Sequence, residues 1–326
     1  MLPQKPRRRG EQASSPQSLH PPRAALARRS GRRQFLSGVA ASAAGTALVG
    51  CSSMPDGSYG TVPILPVYSG EPLRKSSTDR VMLGNTQIEV SRLAMGSGTH
   101  GYNGSSEQTR LGLEGFASLL VDSYDRGITF WETADQYGAH PHLKRAIAEV
   151  GRQNVVIMTK THARTEAQLA QDLDRYLEEL GTDYIDIVLL HNRQSATWTE
   201  ECAGAMSELA DAKQRGVIRA HGVSCHTFEA LSLAARTPWV DVDLARINPA
   251  GVLMDANPAS VIDVLREMKA AGKGVIGMKI LGEGALSNQL DAAISHAVAL
   301  DCIDGFSIGF RSRAELEEVQ GKIAAV

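Results

Sequence analysis

The chain has 326 residues, 43% of them hydrophobic and 21% charged, a composition that excludes a disordered chain or a polytopic membrane protein. Its net charge of −2 averages unequal parts: residues 1–50 hold 9 Lys and Arg against 1 Asp or Glu, and the remainder holds 25 against 35, a net of −10. An acidic body excludes a nucleic-acid partner, because phosphate binding requires a basic surface.

In chain order, the first fifty residues offer no core. Pro- and Arg-rich sequence runs to Ser30, then an apolar stretch ends at a cysteine, which is the layout of targeting sequence. Gly31-Arg32-Arg33-Gln34-Phe35-Leu36 resembles the twin-arginine export motif. Gly38 to Gly50 supplies 13 weakly apolar residues, too few to span about 30 Å of hydrocarbon. Leu48-Val49-Gly50-Cys51 resembles a lipobox, with the lipid carried on Cys51. Residues 1–50 are therefore expected to be a signal read by the twin-arginine export machinery. The mature protein is expected on the periplasmic or extracytoplasmic face, held to the membrane only through the lipid on Cys51. A solvated basic tail is the alternative. About thirty residues precede the paired arginines, which suggests a true start downstream of Met1. Cys202, Cys225 and Cys302 remain, an odd number that makes no disulfide framework.

Residues 51–78, rich in Ser, Gly and Pro, read as a flexible tether. Two apolar runs around Gly84-Asn85 signal a hairpin. Eight short apolar runs follow, at Leu93–Met95, Ile128–Trp131, Val155–Met158, Tyr184–Leu190, Arg219–Val223, Val242–Ile247, Val275–Ile280 and Ile303–Ile308. Helix-period segments separate them, such as Gln168–Leu180, with stops at Gly127, Gly151, Gly181, Gly216 and Gly272. This alternation predicts an α/β fold, a (βα)8 TIM barrel with an N-terminal β-hairpin, over residues 79–326. A doubly wound open sheet is the other arrangement considered.

In such a barrel the site lies where strands end. The second run closes on Glu132 and leads to Tyr137, the third closes on Thr159-Lys160, and the fourth on His191. Glu132 and Lys160 are expected to pair, since a buried charge needs a partner. An ammonium near Tyr137 is expected to bring its phenol toward the working range, making it a general acid. His140, His142, His162 and His191 permit a second reading, a zinc-dependent barrel hydrolase.

These residues carry a family resemblance. Glu132-Thr133-Ala134-Asp135-Gln136-Tyr137-Gly138, Thr159-Lys160, Asp183-Tyr184-Ile185-Asp186-Ile187-Val188-Leu189-Leu190-His191 and Gly222-Val223-Ser224 stand in the order of the aldo/keto reductase motifs, and residues 79–326 as a whole resemble that family. The resemblance implies reduction of a small aldehyde or ketone by hydride transfer from a nicotinamide cofactor, NADPH with NADH not excluded. It implies Tyr137 as proton donor, Lys160 lowering its pKa, Glu132 pairing with Lys160 and His191 orienting the carbonyl. For the cofactor it implies Ser224, Cys225, Lys279, Gly309, Arg311, Arg313 and Glu318.

Several positions depart from the family pattern. Glu132 replaces an aspartate, Cys225 an asparagine, Leu244 a glutamine and Met278 an aromatic residue, while Glu315 stands where a 2′-phosphate arginine is often found. Cys225, Leu244 and Met278 motivate a third reading, a non-catalytic nicotinamide-binding redox sensor or docking module. The chain ends in what should be the eighth helix. Substrate shaping is therefore expected from the loops Thr99–Thr109 and His191–Thr199, through Tyr102 and Trp198, with Trp131 as core.

Overall fold

Parallel strands alternate with helices as the apolar runs predict. The computed structural model describes residues 62–326; the twin-arginine motif, the lipobox with Cys51 and the start of the expected tether lie outside the described residues. Strands β1 (Arg80–Met82) and β2 (Glu89–Ser91) make the antiparallel hairpin. Then come β3 (Leu93–Gly96), β4 (Phe130–Glu132), β5 (Val156–Thr161), β6 (Ile185–Arg193), β7 (Ile218–Cys225), β8 (Val242–Arg246), β9 (Gly274–Met278) and β10 (Gly305–Gly309). They close into a parallel barrel in the order β10-β3-β4-β5-β6-β7-β8-β9. Nine α-helices occur among the described residues: α1 (Leu113–Asp125), α2 (His140–Val150), α3 (Glu166–Leu180), α4 (Trp198–Glu201), α5 (Ala203–Gln214), α6 (Phe228–Arg236), α7 (Pro258–Ala270), α8 (Leu290–Ala299) and α9 (Arg313–Ala324). All eight expected strands are present.

Local chemistry sets the helix ends. The Thr165 side chain accepts from Gln168 N while the Gln168 side chain accepts from the Thr165 N–H, a capping box that starts α3. Gly181 ends it at φ +65°, and Gly127, Gly151, Gly216 and Gly272 turn the chain at φ between +77° and +85°. These are left-handed positions where a side chain would strain the backbone.

Alternation along each strand divides the core in two. Inside the barrel, Ala94, Phe130, Met158, Ile187, Leu189 and Leu244 pack on Leu83, Ile88 and Val90 of the hairpin. Asn85 N donates to Gly272 O at 2.8 Å, just before β9 begins, so the hairpin plugs the end where strands start. Leu93, Met95, Trp131, Ile157 and Val188 face the helices instead. The C-terminal mouth is left as the open end.

The tether expected through residue 78 is not free over its described part. Leu65 N donates to Gln289 Oε1 at 2.7 Å, Tyr68 N to Ser295 Oγ at 3.1 Å and Lys75 Nζ to Val298 O at 2.7 Å. Leu73 N donates to Val326 O at 2.9 Å. The segment therefore runs along α8, held by partners more than 200 residues away in sequence.

One buried group works against the fold. Asp243 of β8 points into the helix layer with both carboxylate oxygens unpartnered, and burial, aided by Asp255, holds its carboxyl well above the usual range. The folded chain keeps this proton after the unfolded chain has lost it, so stability drains away as pH rises above about 4. Asp243→Asn should therefore gain on the wild type progressively between about pH 4 and pH 7 in urea melts. A difference independent of pH would contradict the assignment.

Candidate active site

Strand ends and one short turn build the site. Glu132 closes β4 and Lys160 lies near the end of β5, so neighbouring parallel strands deliver opposite charges to one level of the barrel. Lys160 is fully buried and Glu132 is 8% exposed. Lys160 Nζ is ion-paired with Glu132 Oε1 and donates to Thr133 O at 2.6 Å. Glu132 Oε2 accepts from Ser307 Oγ at 3.0 Å, over β3 from β10. Ser307 was not foreseen as a site residue, because its role depends on β10 closing on β3, a pairing between distant parts of the chain. Burial pulls Lys160 below the usual amine range, and Glu132 pushes it back.

Tyr137 rides the 3₁₀ turn Asp135–Tyr137 just after β4. Arg175 of α3 clamps that turn with two bonds to the Asp135 carboxylate, at 2.6 and 3.0 Å. The phenol ring lies 5.0 Å from Lys160 Nζ and edge-on to His191, with ring centroids 5.8 Å apart. Gly98 and Gly101 cover it from the other side: a Cβ on either would fall 2.2 and 2.3 Å from ring carbons. Tyr137 does not move toward the working range as expected. Burial, with the charge of Glu132, pushes its phenol well above the usual range. The physical reason is that Glu132 neutralises Lys160, leaving desolvation to decide.

His191 is buried near the mouth and stacks on His162 at 4.7 Å. Burial first, then Lys160, His162, His226 and Arg193, hold it well below the usual imidazole range. It is neutral. Nδ1 is buried without a partner, which favours the tautomer with its proton on Nε2, since an orphaned N–H costs more than an orphaned lone pair.

A cavity of about 420 Å³ runs from Glu132 and Tyr137 past Gly96, Met278 and Lys279 to Gly309, Arg311 and Glu318. Its size lies within the ordinary range for ligand pockets. The remaining sequence candidates fall elsewhere. Cys225 and Leu244 are fully buried in the outer and inner cores. Ser224 Oγ accepts from Asn192 N at 3.1 Å. Arg313 pairs with Asp122 of α1 and is no part of the cavity wall. Arg311 is already engaged: Glu315 accepts from its N, Nε and NH2 atoms at 2.8, 3.2 and 2.8 Å, and Glu107 lies 3.6 Å away. Trp198 is no substrate platform either; it is fully buried in α4, donating to Ala230 O at 3.2 Å. Trp131 is core, and Tyr102 is exposed on its loop.

The histidines considered for zinc form no common site: His162 and His191 stack on each other, but the other two are engaged elsewhere. His140 Nδ1 meets Glu179 at 2.7 Å and Nε2 meets Thr159 at 2.8 Å, while His142 packs on Phe116. Among the described residues, no three His, Cys, Asp or Glu side chains are grouped to hold a metal.

Comparison with known proteins agrees with this architecture. The model of the aldo/keto reductase family matches residues 94–301. The chain belongs to that family. Aldo-keto reductase YhdN of Bacillus subtilis is 34% identical over 167 residues, 46% of this chain and 47% of its own length. L-galactose dehydrogenase of Arabidopsis thaliana is 24% identical over 221 residues, 64% of this chain and 66% of its own length. The matches thus span about half to two thirds of these relatives. A putative aldo-keto reductase from Pseudomonas aeruginosa shares the fold with a TM-score of 0.65 at 23% identity, covering 77% of this chain and 97% of that one.

The glycine packing makes a direct prediction. Gly98→Ala should push the Tyr137 ring out of its slot and return its phenol toward the ordinary range. Tyrosinate absorbance against pH, with Tyr137→Phe identifying the signal, reads this out. A titration unchanged by Gly98→Ala would show that the glycine does not set the ring position.

Proposed function

We propose that the protein is an exported, lipid-anchored reductase of aldehydes or ketones that uses a nicotinamide dinucleotide. The observation that carries the reductase reading is the convergence of Tyr137, Lys160, Glu132 and His191 at the open end of the barrel, where Glu132 and Tyr137 line the cavity; export and anchoring rest on the Arg32-Arg33 and Leu48-to-Cys51 motifs.

The cavity wall suits such a group where it is made of backbone. A Cβ at Gly309 would fall 2.3 Å from Thr99 Oγ1, and one at Gly96 2.8 Å from Ser307 Oγ, so glycine leaves these walls flat. Met278, Lys279, Gly309 and Arg311 are the residues that would hold the dinucleotide. When bound, it supplies the hydride. Tyr137 gives its proton to the carbonyl oxygen as that oxygen becomes basic, and a phenol kept protonated by burial is ready to do so. The Nε2–H of neutral His191 orients the same oxygen. Lys160, held by Glu132 and the Thr133 carbonyl, fixes the charge beneath Tyr137.

On this reading the dinucleotide is NADH rather than the expected NADPH, and the support for it is the charge around Arg311. An additional phosphate at Arg311 would have to displace Glu315 and approach Glu107, with Glu318 on the same wall. The sensor reading loses two of its three motives, since Cys225 and Leu244 lie in packed core away from the cavity.

Tyr137→Phe should lower kcat/KM for carbonyl-dependent oxidation of NADH about a hundredfold or more. Its affinity for nucleotide, titrated with NADH and NADPH side by side, should stay unchanged and favour NADH. Full activity in Tyr137→Phe would overturn the mechanism. For the location, Cys51→Ser should move the exported protein from the membrane fraction to the soluble fraction. A variant still bound to membranes would overturn lipid anchoring through Cys51.

A further inference from the structure

Strand β6 does not end regularly. Leu190 pairs with Val223 and Arg193 with Cys225, so His191 and Asn192 on β6 oppose Ser224 alone on β7. This is a bulge, and bulges re-aim side chains. Asn192 adopts φ +54°, a left-handed conformation that a non-glycine residue keeps only where its surroundings hold it.

The surroundings do hold it. Ser224 Oγ accepts from Asn192 N at 3.1 Å, Arg193 Nε donates to His191 O at 2.8 Å, and His226 N donates to Arg193 O at 2.8 Å. The other guanidinium nitrogens of Arg193 reach Cys202 Sγ at 3.2 Å and His162 O at 3.4 Å. Arg193 is 5% exposed and, among the described residues, none of its partners is a carboxylate. A buried cation without a direct carboxylate contact is expensive, yet this one bonds to the backbone carbonyls of two stacked histidines.

We propose that Ser224 and Arg193 are the positioning residues of His191: Ser224 fixes the bulge that turns the imidazole into the mouth, and Arg193 ties the backbones of His191 and His162 together around a fixed positive charge. Ser224 thereby takes a different task from the cofactor contact that its motif implies. The charge has a second effect. The groups around His191 are Tyr137 on its turn, Lys160 on β5 with Glu132 behind it, His162 after β5, His226 after β7 and Arg193 itself; the carboxylates that reach this cluster are Glu132, taken by Lys160, Asp135 and Asp172, which act on His162 but are bonded to Arg175, and Glu201, which acts on Arg193 but is paired with Arg164. Burial is the first reason the imidazole stays neutral, and protonating it would also add a cation beside Lys160, His162, His226 and Arg193.

The role rests on the proposed reduction, through the orienting function of His191, but one test needs no substrate. In the full-length, ligand-free protein, NMR titration of the His191 imidazole should move up toward the ordinary range in Arg193→Met and stay low in Arg193→Lys, which keeps the charge. The acid limb of kcat/KM should shift upward with Arg193→Met in the same sense. Ser224→Ala should lower kcat about tenfold or more through misplacement of His191, with the Kd for NADH unchanged. If Arg193→Met does not fold, Arg193→Lys and Ser224→Ala carry the test through kcat, with nucleotide affinity intact in both. A His191 titration unmoved in folded Arg193→Met, or a Ser224→Ala variant that loses NADH affinity while keeping kcat, would overturn the proposal. An imidazole that responds in a protein without carbonyl reduction would sink the reductase reading and leave the positioning unit standing.

Discussion

The buried Glu132–Lys160 pair is the constraint on which the mouth of this barrel depends. Desolvating two charges costs several kcal/mol per ion, repaid only when their remaining hydrogen-bonding capacity is filled. Thr133 O takes a second proton of Lys160, and Ser307 Oγ fills the second oxygen of Glu132. The pair thereby links β4, β5 and β10, so the barrel must be closed before the charges can be buried. It also sets the protonation of its neighbours. Desolvation keeps Tyr137 protonated, with the charge of Glu132 adding to it, and desolvation first, then Lys160 and the other cations around it, keeps His191 neutral.

The two ends of the cavity follow different electrostatic rules. Around Tyr137 and His191 the uncharged forms win, which suits the passing of a single proton to a polarised carbonyl. Around Arg311 the charge is already balanced by Glu315 and Glu107. An anion there competes with the protein's own carboxylates rather than meeting an open cationic site. Balanced ion pairs at the surface are individually weak, so these carboxylates act mainly by selecting which ligand charge is tolerated.

The fold was legible because its signals are local. Apolar runs, the helical period of segments such as Gln168–Leu180 and glycine stops each declare themselves within a few residues, and the eight units follow. Strand ends likewise revealed Glu132, Lys160 and His191. What escaped depends on facing or on distance. Leu244 and Cys225 were placed by motif position, but alternation turns one inward below the mouth and the other outward to the helices. Trp198 looked like a loop aromatic until α4 packed it inside. Ser307, Gly98 and Gly101 act on groups from other strands, and a linear motif does not show that. The described part of the expected tether looked free by composition, yet its bonds run to α8 and Val326.

The glutamate at 132 stands out as a departure from the family's aspartate, and Ser307 gives it a physical explanation. The carboxylate must satisfy Lys160 on the neighbouring strand and a hydroxyl reaching in from β10. An aspartate is one methylene shorter and would sit closer to β4, trading one of these contacts against the other. The longer side chain carries the charge between the two. Its added rotamer freedom is a cost of ordering, and the Ser307 hydrogen bond offsets it by fixing the head group. Gly96 belongs to the same arrangement, since a Cβ there would fall 2.8 Å from Ser307 Oγ and crowd the hydroxyl. Glu132, Ser307 and Gly96 thus form one steric and electrostatic unit, and a shorter acid at 132 would require the other two positions to be refitted as well.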